Sequence, residues 1–365
     1  MNTLKRVGNL YPQVYDIHNL RTAHQRAKKG KGWYKEVKMI DEDVEPYLLE
    51  IQHLLKTRSY KTSEYTIFNR VEGRKERTIF KLPYYPDRIT QWALMLVIEP
   101  HLIKTFIADT YSAIPGRGVH LVLNKIKHAM KYDRENTKYC LKMDVTKYYE
   151  SINHDILKSK YARVFKDPDL LWLINEIIDS TEGDVGVPIG NYVSQYSGNL
   201  YLSAFDHWMK EEKRIKYYYR YMDDIVVFGD SKEDLHKLSH EIMDILDEKL
   251  NLKIKDNYQV FPSEVRGVDF VGYRMFPDYT LLRKSTTKNY KTKMTKILKK
   301  VESGVEMSYS EWCSINSYKG WLLHCDSFRL YNKYTHPLDK YEEVYYYKYM
   351  KGVINNDNSI FSSQT

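Results

Sequence analysis

Apolar positions recur at helical spacing through the first sixty residues, where Val44, Leu48, Ile51 and Leu55 share one face of VEPYLLEIQHLLKTRSY, as an amphipathic helix requires. From Tyr65 the period shortens. The runs YTIFNRV and RTIFKL flank Glu72-Gly73-Arg74-Lys75 and predict a basic β-hairpin. After Pro86-Asp87-Arg88, the run ITQWALMLVIEPHLIKTF has the apolar density of a buried helix, broken near Pro100. Tyr139 to Val145 (YCLKMDV) predicts a short strand ending in an acidic residue, and amphipathic helices are expected over Asp155 to Ser180 and Asn191 to Glu212. Lys216 to Phe228 (KYYYRYMDDIVVF) is apolar and aromatic on both sides of Asp223-Asp224, which predicts two strands joined by a tight turn. A helix over Asp234 to Leu250, a strand or hairpin over Val268 to Met275, and basic helices from about Lys284 complete the pattern.

No apolar run approaches the roughly 18 to 20 residues that span a bilayer, and the N-terminus lacks the apolar stretch and cleavage site of a secretory signal. A cytoplasmic protein without a membrane partner is expected. The composition, 42% hydrophobic and 29% charged with mean hydropathy −0.60, is that of a folded chain and excludes wholesale disorder. Cys140, Cys313 and Cys325 are odd in number and widely spaced, which argues against a disulfide framework or a structural zinc site.

Charge narrows the choice of partner. The net charge of +9 favours a polyanion. Arg283 to Lys300 carries eight basic residues and no acidic one, and Arg21 to Lys38 carries seven against one. The 34 tyrosines suit a surface that stacks on bases, although most read as half-buried packing residues. Trp312 and Trp321 read as core of the C-terminal helical region.

The candidate chemistry lies in the acidic residues. If the strand ending at Asp144 pairs with the hairpin turning at Asp223-Asp224, three carboxylates meet at one sheet edge. Clustered like charges raise one another's pKa and persist where cations neutralise them. Oxygen donors without His or Cys select hard ions, and Mg²⁺ shared between carboxylates and substrate phosphates is the expected solution, two ions promoting in-line displacement. Taken alone, Asp223-Asp224 reads as ordinary turn chemistry and Asp144 as a helix cap at a strand end.

The flanking residues decide between these readings. Tyr221-Met222-Asp223-Asp224 (YMDD) resembles the catalytic box of the reverse transcriptases, and LKMDVTKYYESI around Asp144 resembles the aspartate box that precedes it. VPIGNYVSQYSGNLYL is similar to the box between them, ERTIFKLPYYPDRITQWAL to the fingers motifs, and FVGYRM to the primer grip. The resemblance runs from about Lys56 to Lys284. It implies an α+β right-hand polymerase with fingers, an antiparallel-sheet palm and a helical thumb. The implied division is a helical extension over 1–60, fingers over 61–138, a palm over 139–282 with a fingers insertion at about 155–189, and a basic helical thumb over 283–365.

The resemblance also implies roles. Asp144 and Asp223 would bind two Mg²⁺ ions, or Mn²⁺ in their place, with Asp224 in support and the Val145 carbonyl as a further ligand. Arg77 and Lys75 would hold the incoming triphosphate, and Ile189, Gly190 and Gln195 would line the nucleotide site. Tyr149, five residues after Asp144, stands at the steric gate, where a ring excludes a ribose 2′-hydroxyl, so the product would be DNA. Tyr221, Met222, Gly272, Tyr273, Arg283, Lys284 and Lys288 would contact primer and template. Lys253 and Lys255 are candidate proton donors to pyrophosphate, and equally solvated surface lysines.

One box departs from the common pattern. Ile189-Gly190-Asn191-Tyr192-Val193-Ser194-Gln195 stands where most reverse transcriptases carry Gln-Gly-x-x-x-Ser-Pro, and it resembles the enzymes of diversity-generating retroelements and related antiviral-defence lineages. Losing a polar side chain beside the incoming nucleotide should loosen geometry checking. Ile189→Gln is expected to lower misincorporation, and unchanged error spectra on a defined template would remove Ile189 from the fidelity argument. The implied partners are a dedicated non-coding RNA template, a DNA primer and product, and dNTPs, with an accessory protein or a homo- or hetero-oligomer left open. Two other readings stay open: an RNA-binding, maturase-like protein, and a template-independent polymeriser.

Overall fold

The computed structural model describes residues 5–72 and 75–347, and the chain packs as two compact units, residues 1–118 with 141–260 and residues 119–140 with 261–365. In the first unit the N-terminal segment is helical. Asp16 caps the helix Ile17–Ala27 by accepting from the His18 and Asn19 N–H groups, and the helix Val44–Lys56 buries Leu48, Ile51 and Leu55. Strands β1 (Thr66–Glu72) and β2 (Lys75–Lys81) form an antiparallel hairpin with Arg70 opposite Arg77.

Two helix expectations need correction. The helix Ile89–Ile103 runs through Pro100 without breaking. Proline there removes one hydrogen bond in the last turn, while the buried row Leu94, Ile98 and Leu102 continues past it. The segment expected as one helix over 155–180 is two, His154–Val164 and Pro168–Ile178. Asp167 caps the second by accepting from the Leu170 N–H, and Pro168 opens it where a missing N–H costs nothing.

The helix Tyr192–His207 is buried on nearly every face. It belongs with a four-stranded sheet made of β3 (Tyr139–Asp144), β4 (Tyr218–Tyr221), β5 (Asp224–Gly229) and β6 (Gln259–Pro262), in the order β4-β5-β3-β6. The helix Lys232–Leu250 starts on a Ser231 cap and ends at Asn251, whose φ of +51° closes it.

The second unit is built on a three-stranded antiparallel sheet, β7 (Val268–Phe270), β8 (Tyr273–Met275) and β9 (Thr280–Leu282). The helix Lys284–Glu302 buries Tyr290, Met294, Ile297 and Val301 at helical spacing, which leaves its lysines on the opposite side. Ser308 and Glu311 form a capping box at the start of the helix Tyr309–Leu322. Trp321 stacks on Tyr273 at 5.2 Å and Trp312 on Tyr345 at 6.0 Å, so both tryptophans pack within this unit. Among the described residues no helix is long and apolar enough to cross a membrane.

Candidate active site

The β4–β5 pairing puts Tyr221 opposite Asp224 and leaves Met222-Asp223 as a two-residue turn. Met222 takes the left-handed conformation, with φ of +57°, as tight turns between twisted strands require. Its side chain is buried against the helix Tyr192–His207. A Cβ added at Gly198 would lie 3.2 Å from the Met222 sulfur and 3.3 Å from the Tyr148 ring, and the Tyr148 hydroxyl donates to the Gly198 carbonyl at 2.5 Å. Glycine at this point lets the helix backbone lie directly beneath the turn.

Asp144 ends β3, and the next residue, the buried Val145, donates its N–H to the Asp223 carbonyl at 3.4 Å. Burial first, then the Asp144 charge, raise the Asp223 carboxyl to about 6, with Asp224 adding to the rise and Lys255 opposing it. The Lys255 ammonium contacts the Asp144 carboxylate, and its backbone N–H donates to the Asp144 carbonyl at 2.9 Å. Asp224 lies 3.5 Å from the Lys142 ammonium. Among the described residues no three carboxylate, imidazole or thiolate groups converge as a ready-made metal cluster. Of the expected trio, Asp144 and Asp224 both raise the Asp223 carboxyl, Asp144 the more strongly. This donor set fits a hard divalent ion: all its side-chain donors are oxygens, and the neighbouring Asp144 charge raises the buried Asp223 carboxyl, a cost that a bound cation relieves.

Tyr149 lies in the 3₁₀ turn Tyr148–Ser151. Burial first, then the Asp223 charge, push its hydroxyl upward, and the Arg77 charge opposes that rise. Tyr149 thus feels Asp223 and the β2 arginine at once. Arg77 itself is exposed, while the Lys75 side chain and the whole of Gly73 and Arg74 lie outside the described residues.

Gly190 has φ of +128°, and a Cβ on it would lie 2.6 Å from the Phe80 carbonyl oxygen. The close approach this glycine permits is to the β2 backbone, whose Phe80 N–H donates to the Ile189 carbonyl at 3.1 Å. Gln195 is exposed near the start of the helix Tyr192–His207, and Tyr221 is half-buried at the end of β4. Lys253 pairs with Asp247. In the N-terminal basic run, Arg21 is neutralised by Glu45 and Lys28 by Asp41.

The remaining expected contact residues belong to the second unit. Gly272 has φ of +89°, and a Cβ there would lie 2.3 Å from the Trp321 ring. The Tyr273 hydroxyl donates to the Trp321 carbonyl at 3.1 Å. Arg283 pairs with Asp269 at 2.5 Å and donates its N–H to the Gly272 carbonyl at 3.0 Å, while Lys284 and Lys288 are exposed.

Arg220 escaped the reading of the sequence. It is fully buried, with Nε 2.7 Å from Asp206 Oδ1 and Nη2 2.5 Å from Oδ2, while Nη1 donates to the Met222 carbonyl at 2.8 Å. The signal that could have found it is alternation: Arg220 stands two residues from Tyr218 and from Met222, hence on their side of the strand.

Comparison with known proteins gives an independent bearing. Residues 72–275 match the family described as "Reverse transcriptase (RNA-dependent DNA polymerase)". The Escherichia coli K12 protein YkfC is 22% identical over 235 residues, a stretch covering 53% of this chain and 62% of YkfC. An uncharacterised 91 kDa protein in the cob intron of Schizosaccharomyces pombe is 27% identical over 135 residues, covering 35% of this chain and 16% of that protein. The chain thus spans less than two thirds of either relative. Among solved structures, telomerase from Candida albicans with a TWJ fragment of telomeric RNA aligns over 80% of this chain and 61% of its own, at 12% identity and a TM-score of 0.48. Apo telomerase from Candida tropicalis aligns over 60% and 48%, at 13% identity and a TM-score of 0.46.

Proposed function

The chain belongs to the reverse transcriptase (RNA-dependent DNA polymerase) family, and on that premise we propose that it copies an RNA template into DNA at the Asp144–Asp223 edge. The observation that supports this reading most directly is the β4–β5 turn that carries Asp223, tied to the end of β3 by the Val145 N–H on the Asp223 carbonyl, with the Asp144 charge raising the Asp223 carboxyl. Mg²⁺ ions held by Asp144, Asp223 and the Val145 carbonyl, supported by Asp224, would activate the primer 3′-hydroxyl and neutralise charge on the leaving pyrophosphate. Mn²⁺ would substitute.

The protein's own groups bind and exclude. Arg77, with Lys75, holds the triphosphate by charge-assisted hydrogen bonds. Tyr149 blocks a 2′-hydroxyl and so selects dNTPs. Ile189, Gly190 and Gln195 border the incoming base, and Tyr221 and Met222 border the primer end. Lys255, already against Asp144, is placed to give a proton to pyrophosphate. Gly272, Tyr273, Arg283, Lys284 and Lys288 hold primer and template.

In domain terms we read 1–60 as an extension, 61–138 as fingers, 139–282 as palm with an insertion at about 155–189, and 283–365 as thumb, of which 348–365 lie outside the described residues. The template we propose is a dedicated non-coding RNA, in antiviral defence or in a diversity-generating retroelement. An adjacent variable gene with a template repeat would mark diversification, and a non-coding RNA among defence genes would mark immunity.

The test is to purify the wild type and Asp223→Asn from cells, sequence the co-purifying RNA and DNA, and assay dNTP incorporation with and without template. One discrete RNA on both proteins, with complementary DNA on the wild type alone, is the expected result. RNA without any DNA difference would favour the maturase-like reading. Incorporation that persists without template would favour untemplated polymerisation.

A further inference from the structure

We propose that Arg220 is the positioning residue of the Asp223 turn, a buried guanidinium that fixes the Met222–Asp223 peptide with Asp206 as its anchor. The proposal rests on the reading of Asp223 as a metal ligand.

The anchor is saturated. Asp206 Oδ1 accepts from Arg220 Nε at 2.7 Å and from the Tyr218 hydroxyl at 2.5 Å, and Oδ2 accepts from Arg220 Nη2 at 2.5 Å and from the Thr110 hydroxyl at 3.1 Å. Both side chains of the pair are fully shielded from solvent. With four donors on two oxygens, the carboxylate holds the guanidinium in one plane, as a bidentate fork does. The Arg220 backbone is tied as well. Its N–H donates to the Asp109 carbonyl and its carbonyl accepts from the Tyr111 N–H, both at 3.1 Å.

What remains of the guanidinium is aimed at the turn. Nη1 donates to the Met222 carbonyl at 2.8 Å and to Asn199 Oδ1 at 3.2 Å, and Asn199 donates in turn to the Ser112 carbonyl at 2.7 Å. The Met222 carbonyl shares a planar peptide with the Asp223 N–H. Holding that oxygen therefore sets the plane from which the Asp223 Cα and carboxylate project. Met222 is in addition a non-glycine residue at φ of +57°, a conformation kept only where the surroundings over-determine it. Stability alone is a poor reason for such a pair, since apolar residues of like volume often replace buried ion pairs without loss. A third arm reaching the turn beside the acidic pair supplies another reason.

Two variants test this. Arg220→Lys keeps a charge for Asp206 but loses the fork that also reaches Met222, and Asp206→Asn/Arg220→Gln leaves no lone charge behind. Both are expected to melt cooperatively, to keep KM for dNTP and template near wild type, and to lose kcat by on the order of tenfold to a hundredfold, as a small misplacement does. Mn²⁺ binding measured by calorimetry in the absence of nucleotide should weaken in the same variants. Wild-type kcat and Mn²⁺ affinity in folded variants would overturn the proposal. Failure of both variants to fold would overturn it too, by making the pair a matter of stability. A wild type that neither binds Mn²⁺ nor incorporates dNTP would instead sink the underlying reading of Asp223.

Discussion

The β4–β5 hairpin buries Tyr218, Tyr219, Ile225, Val226 and Val227 and stands on a fully buried ion pair, whereas the β1–β2 hairpin leaves Ile67, Phe68 and Val71 at 58%, 44% and 71% exposure. Both carry residues proposed for nucleotide transfer. The first is supported at its turn. The second is held near its base, where Tyr65 accepts from Asn191 at 2.8 Å and lies 2.7 Å from Ser180, and where Phe80 donates to Ile189. Arg70 and Arg77 stand at one register of it, Arg70 on β1 and Arg77 on β2. A carboxylate on a buried base and a cation on an exposed hairpin suit, respectively, the proposed divalent ion and the proposed triphosphate.

The contrast can be broken at several points. Asp223→Asn should lower single-turnover dNTP incorporation by on the order of a thousandfold, the value of several kcal/mol of metal stabilisation, while the thermal melt stays intact. Retained incorporation would remove the metal role. Arg77→Ala should raise KM for dNTP on the order of tenfold or more through loss of a charge-assisted contact, yet leave the melting temperature within error because the site is exposed. An equal loss of stability would erase the difference between the hairpins.

Gly190→Ala should cost about 1–3 kcal/mol through backbone strain and the clash with Phe80. Hydrogen exchange should then quicken over 75–81 and not over 218–229. If both segments quicken, the hairpins are not independent.

The smallest effect concerns His207, at the end of the helix that carries Asp206. Burial lowers its pKa, but the Glu211 carboxylate and the Thr105 carbonyl outweigh burial and raise it overall. Its stabilisation is therefore complete below the ordinary histidine range and is lost as pH rises through the higher folded value. His207→Gln should flatten that dependence by a few tenths of a kcal/mol. The β1–β2 strands contain no histidine, so a matching pH response there would contradict the assignment.

What the sequence disclosed is what is local. Tyr221 to Asp224 and the Asp144 box are contiguous, and the buried row of the helix Val44–Lys56 repeats at a regular period. Asp167-Pro168 was a local signal overlooked, since Asp before Pro marks a helix start as much as a loop. Arg220 was within reach of strand alternation, but its partner Asp206 was not, because an acidic residue near a helix end looks like a solvent-facing charge and only the fold brings the two together. Gly190 was legible as a residue lining the nucleotide site, but its neighbour, the Phe80 carbonyl, arrives from more than a hundred residues away.

That contact makes β2 and the 189–190 loop a single lever. On the proposed roles, a triphosphate drawn in by Arg77 would pull on the strand whose Phe80 N–H holds the Ile189 carbonyl, and sensing the phosphates and sensing the base would become one mechanical event. A mispaired base that displaces Ile189 should then slow hairpin closure itself. A fluorophore on β1, followed by stopped flow with matched and mismatched dNTPs, would read that delay, and equal closing rates would uncouple the two.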